Sequence, residues 1–333
     1  MFIVSTYTLA VILCFITMLC WGSWANTQKI AAKNWRFELF YWDYVIGILL
    51  FSLLIGFTAG NSGDKGMGFV QSISQADVSS IINPIIGGII FNLSNILLVA
   101  AISIAGLAIA FPVGVGLCMV LGVLINFIAT PKGDPVLLFI GVGIVVIAII
   151  LDAVAYRKLK TGDKKTPMKG IVISILAGFL MAWFFRFVAK GIATDLEFPE
   201  PGKLTPYAAF FFFVIGIVIS NFVFNTYLMK RPIEGTPVKF KEYFEGNFRS
   251  HLSGIIGGMI WALGTALSLI AAGKAGYAIS FGLGQGATMV GALWGVFIWK
   301  EFKGASKAVN TLLFLMFVLF TAGLAMIIIA GNN

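Results

Sequence analysis

Ten apolar runs of about twenty residues each, none alternating polar with apolar, leave a chain of 333 residues almost no way to fold in water. A helical span needs about 20 apolar residues to cross about 30 Å of hydrocarbon, whereas a membrane barrel strand needs only about 10 in an alternating pattern. Each run therefore predicts a membrane helix, at 6–28, 42–59, 82–103, 107–129, 136–156, 170–189, 207–229, 252–272, 277–299 and 309–330. Composition agrees: with 59% hydrophobic and 11% charged residues there is too little polar surface to coat a soluble globule. The first run is too long for a removed signal peptide and lacks a basic start, so it is expected to stay as a span.

Residues 85–120 laid on 255–290, without a gap, give 17 identical pairs out of 36. Ile85, Ile86, Gly87 and Gly88 fall on Ile255, Ile256, Gly257 and Gly258, and Ala105, Gly106 and Phe111 fall on Ala275, Gly276 and Phe281. Apolar bias alone gives far fewer matches, so the chain is internally duplicated. Both copies are two apolar runs broken by a small-residue turn, at 103–106 and 273–276, which predicts a hairpin. An odd number of spans separates each residue from its mate, so the second copy enters the membrane upside down. The expected fold is an all-α integral membrane protein with ten transmembrane helices as two inverted five-helix repeats, 1–156 and 170–333, joined by a linker at 157–169. Duplications of this form give transporters a solute site at the repeat interface.

The net charge of +9 is explained by where it lies, and no nucleic-acid partner is expected. Lys and Arg number 17 in the odd-numbered loops and 5 in the even-numbered set with the termini, and short basic loops stay cytoplasmic. Both termini are therefore expected outside, in an inner or plasma membrane. Cys14, Cys20 and Cys118 fall inside spans as small packing residues, forming neither a disulfide framework nor a metal site.

The motifs WGSWANTQK from Trp21, YWDY from Tyr41, GGIIFNLSN from Gly87 and INF at Asn126 follow one another in the first half. KFKEYF from Lys239, GKAGYAISFG from Gly273 and ALWGVFIWKEF from Ala292 follow in the second. Together they resemble the ureide permease family of the drug/metabolite transporter superfamily, kin to the bacterial glucose, ribose and rhamnose porters. The resemblance runs over essentially the whole chain. It implies ten helices in two inverted repeats and transport of small polar solutes, and it suggests proton symport. Plant members carry a long central insert with a nucleotide-binding-like motif; only the short linker stands there in this chain, so no ATP or other cofactor is expected.

Polar groups in hydrocarbon are costly without partners, so mid-span polar residues are the candidate site. Asn92 and Asn95 share a face of the third span, and asparagines there serve either a solute or a neighbouring helix. The fourth and ninth spans carry matched helix breakers, Pro112, Gly114 and Gly116 against Gly282, Gly284 and Gly286, and paired breaks of this kind point to a binding site. Close helix packing is the other reading of those glycines. Gln285 adds an amide at the break, while Trp261 and Thr265 stand opposite Phe91 and Asn95 in the repeat. Flat aromatic walls with amides suit a heterocycle or a sugar. Trp21 and Trp24 share a face of the first span, as belt anchors or cavity walls; Arg186 in the sixth span snorkels or meets solute, and Asn221 and Asn225 in the seventh are secondary candidates.

A catalytic role has little to work with. The lone histidine, His251, sits at a span boundary, and no nucleophilic triad, HExxH or paired mid-membrane carboxylates can be assembled. All 14 Asp and Glu read as loop or span-end residues, Asp152 included, and Asp43 is the best candidate for a gate or proton-coupling group. The expected function is secondary transport of a ureide or nucleobase-like solute across the bilayer, with proton coupling favoured. A sugar carrier is the first alternative, and a membrane receptor or assembly subunit that binds without translocating is the second.

Overall fold

The computed structural model describes residues 1–31, 35–105, 107–159, 168–233 and 235–332. Most of the expected linker, Gly106 of the first hairpin turn, and Lys33, Glu234 and Asn333 lie outside them. Among the described residues the chain is helical throughout, with one isolated bridge between Ile192 and Leu204.

The first half contains α1 (Tyr7–Ser23), the short α2 (Asn26–Ile30), α3 (Phe37–Phe57), the short α4 (Phe69–Gln75), α5 (Val78–Ala105), α6 (Leu107–Ala129) and α7 (Pro135–Leu159). The second contains α8 (Met168–Gly191), α9 (Pro206–Lys230), the short α10 (Phe240–Phe244), α11 (Phe248–Ala275), α12 (Tyr277–Gly284), α13 (Ala287–Leu293) and α14 (Lys307–Asn332). Among the described residues nine helical segments are long and apolar enough to cross a bilayer, the segment Tyr277–Ile298 counted as one. The span expected at 6–28 is divided: α1 is an apolar helix of 17 residues, and a turn at Trp24 and Ala25 separates it from α2. The expected hairpin turn at 273–276 is present. Gly276 has a φ of 93°, which a side chain resists, and its N–H closes α11 on the Ala272 carbonyl.

Apolar residues all round each helix leave nothing for a one-sided stripe to specify, so close approach between helices is set by small residues. A Cβ on Gly88 of α5 would overlap the Phe213 carbonyl of α9, and one on Gly216 of α9 would overlap the Ile85 carbonyl. The same contact recurs between α11 and α3: a Cβ on Gly258 would overlap the Tyr44 carbonyl, and one on Gly47 the Ile255 carbonyl. Gly141 of α7 and Gly323 of α14 face each other, and a Cβ on either would stand 2.8 Å from the other's carbonyl oxygen.

Loop contacts sort the bundle into two ends. At one end the Met1 ammonium donates to the Lys65 carbonyl, Lys65 pairs with Glu197, the Asp134 N–H reaches the Ala330 carbonyl, and the Lys132 ammonium donates to the Lys274 carbonyl. At the other end Lys29 pairs with Glu301, the Tyr156 hydroxyl donates to Glu301, and Arg36 reaches the Thr236 carbonyl.

Candidate functional site

A cavity of about 480 Å³ enters the bundle at the end that carries Lys29, Trp299 and Glu301 and runs inward between α1, α5, α6, α7, α8, α11 and the α12–α13 segment. Its inner wall is aromatic. Phe91 stacks on Trp261 at 4.6 Å between ring centroids, and behind them Phe184, Phe213 and Phe281 pack ring on ring, closing that end. Trp24 lies 4.7 Å from the Tyr44 ring, and neither its indole N–H nor that of Trp261 has an acceptor among the described residues.

Amides stand among these rings. Tyr41 of α3 donates to Asn92 Oδ1 at 2.8 Å and accepts from Asn95 Nδ2 at 3.0 Å, while Asn92 Nδ2 donates to Ser220 Oγ of α9 at 2.9 Å. Asn92 is thus fully engaged between helices and does not line the cavity. Asn95 does line it, and its Oδ1 takes no hydrogen bond among the described residues. Thr265 also stands outside the lining: it accepts the Trp21 indole N–H at 3.0 Å and fixes that ring as a cavity wall. Gln285 lines the cavity with its side-chain amide unbonded among the described residues.

The matched helix breaks expected in both halves occur in only one. α6 runs unbroken through Pro112, Gly114 and Gly116; interior proline is tolerated in membrane helices where neighbouring helices and local adjustment satisfy the freed backbone group. Gly114 there serves close packing, with its carbonyl against Gly178 of α8. In the second half the helix does break. Between α12 and α13 the N–H groups of Gln285, Gly286, Thr288 and Met289 bond three residues back, to Gly282, Leu283, Gln285 and Gly286, and a π-turn follows at Trp294–Ile298. α1 presses into this break: the Trp21 ring lies against Gly284 and the Met18 sulfur against Gly286.

The remaining candidates fall elsewhere. Arg186 is half-buried on α8 outside the cavity wall. Asn221 and Asn225 are buried on α9 away from the cavity; Asn225 donates to the Glu38 carbonyl at 2.9 Å. Asp43, 1% exposed, lies in a separate cluster, where the Tyr243 hydroxyl donates to it at 2.6 Å and His251 Nδ1 stands 2.9 Å away. Burial, and then the Asp43 carboxylate, raise the Tyr243 phenol above its usual range, which keeps it a donor. Asp152 of α7, read as a span-end carboxylate in the sequence, joins the wall, as does Tyr156 one turn later. No triad of potential metal ligands occurs among the described residues.

A helical bundle with apolar outer faces, holding an aromatic and amide-lined cavity that is closed at one end, defines an integral membrane solute carrier. The chain belongs to the ureide permease family, whose model matches residues 40–169 and 155–330. It is similar to "Ureide permease 1" and "Ureide permease 2" of Arabidopsis thaliana, at 22% and 21% identity over the full length of both partners in each case. "Probable ureide permease A3" of Vigna unguiculata is 20% identical, over 88% of this chain and 95% of its own. A crystal structure of another protein, 16% identical, shares the fold with a TM-score of 0.61 over 95% of both chains.

Proposed function

We propose that this protein is a secondary transporter that carries a neutral ureide or nucleobase-like solute through the cavity by alternating access between two inverted repeats. The observation that carries the reading is the cavity wall: stacked Phe91 and Trp261 for a flat ring, with Asn95 and Gln285 holding unused amide groups beside them. Membership of the ureide permease family supports the same solute class.

Ten spans, with α1 and α2 together as the first, are supported by the loop contacts, which gather both ends of the chain and the even-numbered loops at one end of the bundle. The recurrence of the α5–α9 glycine contact as α11–α3 supports the inverted repeat, since an in-plane pseudo-two-fold axis exchanges those helix pairs. The basic loops put Lys29 and Glu301 at the cytoplasmic face, so the cavity opens inward and both termini lie outside.

Radiolabelled uptake into proteoliposomes tests the solute class, with allantoin and uracil against glucose, ribose and rhamnose. Saturable uptake of allantoin or uracil is expected. Uptake restricted to the sugars would replace the ureide reading with the sugar one, and binding without counterflow would replace transport with reception.

A further inference from the structure

Three acidic side chains are buried among the described residues, and two of them are satisfied. Glu38 is held by Arg36 at 2.6 Å and Asp43 by Tyr243 and His251. Asp152 is the exception: it is 7% exposed, lines the cavity, and its carboxyl takes no hydrogen bond or ion pair among the described residues, with Oδ1 wholly enclosed.

Among the described residues nothing in the cavity wall answers its charge. There Lys29, Asp152 and Glu301 are the charged residues of the lining, and Lys29 is already committed to Glu301 at 3.0 Å, with its ammonium over the Trp299 ring. A buried carboxyl left without donors is costly, and it persists where a ligand supplies them. Its last torsion is broad, so turning the carboxyl plane brings the enclosed oxygen toward the cavity beside the other.

We propose that Asp152 is the N–H-accepting group of the solute site, taking the two parallel N–H donors of an open-chain ureido group and disfavouring solutes that carry a carboxylate. The proposal rests on the ureide reading above and adds the residue that selects within it. Two parallel N–H groups match the fork of a carboxylate, as a guanidinium does, and charge-assisted bonds of this kind are stronger than amide-to-amide ones. The Gln285 amide then donates to a solute carbonyl oxygen, the free Asn95 Oδ1 accepts a further solute N–H, and Phe91 and Trp261 meet its ring face.

The test uses the purified full-length protein in nanodiscs, with binding of allantoin and of an allantoin analogue methylated at its open-chain ureido nitrogens, in which those N–H groups are blocked, measured by calorimetry. Wild type is expected to prefer allantoin on the order of tenfold or more, and Asp152→Asn, nearly isosteric, to lose about tenfold in allantoin affinity and most of that preference. Equal binding of the two compounds by wild type overturns the proposal without any variant. Full allantoin affinity and preference in Asp152→Asn overturns it as well. Wild type that binds neither compound nor uracil fails the ureide reading itself, a different result from binding without discrimination.

Discussion

Asn95 and Asn92 stand three residues apart on one helix face, yet the tertiary structure gives them different work. Asn92 spends both ends of its amide on Tyr41 and Ser220, whereas Asn95 keeps its carbonyl free in the cavity. Asn95→Ala is therefore expected to weaken solute binding by about five- to a hundredfold, the equivalent of about 1 to 3 kcal/mol for a lost buried hydrogen bond, and Gln285→Ala likewise. Asn92→Ala is expected to lower thermal stability first, since it leaves the Tyr41 hydroxyl hydrogen without its acceptor and the Ser220 oxygen without that donor. Melting curves and binding isotherms on the three variants separate the roles; normal affinity in both Asn95→Ala and Gln285→Ala would make those amides packing groups. Asp43 belongs with Asn92, because its carboxylate is occupied by Tyr243 and His251 outside the cavity. The sequence put Asn92, Asn95 and Gln285 in one class and Asp43 at a span end as a gate or coupling group, since residue type and depth are readable from it and hydrogen-bond partners on other helices are not.

At the scale of elements, glycines of α6 and of the α12–α13 segment differ in what they permit. A Cβ on Gly116 meets nothing within 4 Å, while one on Gly284 would stand 2.6 Å from the Trp21 ring and displace a cavity wall. Gly116→Ala is expected to be neutral or stabilising by up to about 1 kcal/mol, as alanine is the better helix former. Gly284→Ala is expected to lower affinity for solute by moving the ring. Equal binding by the two variants would mean that the break does not shape the site. Packing between helices gives a second contrast: Gly88→Ala and Gly258→Ala each drive a methyl group into a backbone carbonyl and are each expected to cost about 1 to 3 kcal/mol, measured as a fall in melting temperature in detergent.

For the whole molecule, orientation and energy coupling are the quantities to measure. A cysteine placed at Lys65 is expected to react with an impermeant reagent from outside intact cells, and one at Lys303 only after lysis, because the native cysteines are buried and stay silent. The reverse pattern would invert the molecule and turn the cavity outward. Coupling is read from solute accumulation against its gradient under an imposed pH difference. Accumulation that survives in Asp43→Asn is expected, given that residue's place outside the cavity, and its loss would return Asp43 to the coupling path. No accumulation in wild type would make the protein a facilitator.

Hydrophobicity over about twenty residues is a local property, and self-similarity is a property of the string, so membrane residence, helicity and the internal duplication were all written in the sequence. The aromatic and amide character of the cavity wall was legible too, through Trp21, Trp24, Asn95, Trp261 and Gln285, because polar groups in hydrocarbon announce themselves. Which polar groups remain free was decided only in three dimensions. Asp152 reads as a span-end carboxylate until α7 packs, and α6 and α12 carry matched breakers although only the second is pressed by α1. A helix that is apolar on every side does not encode which face meets which neighbour; backbone approach at small residues settles that, and with it what the cavity offers a solute.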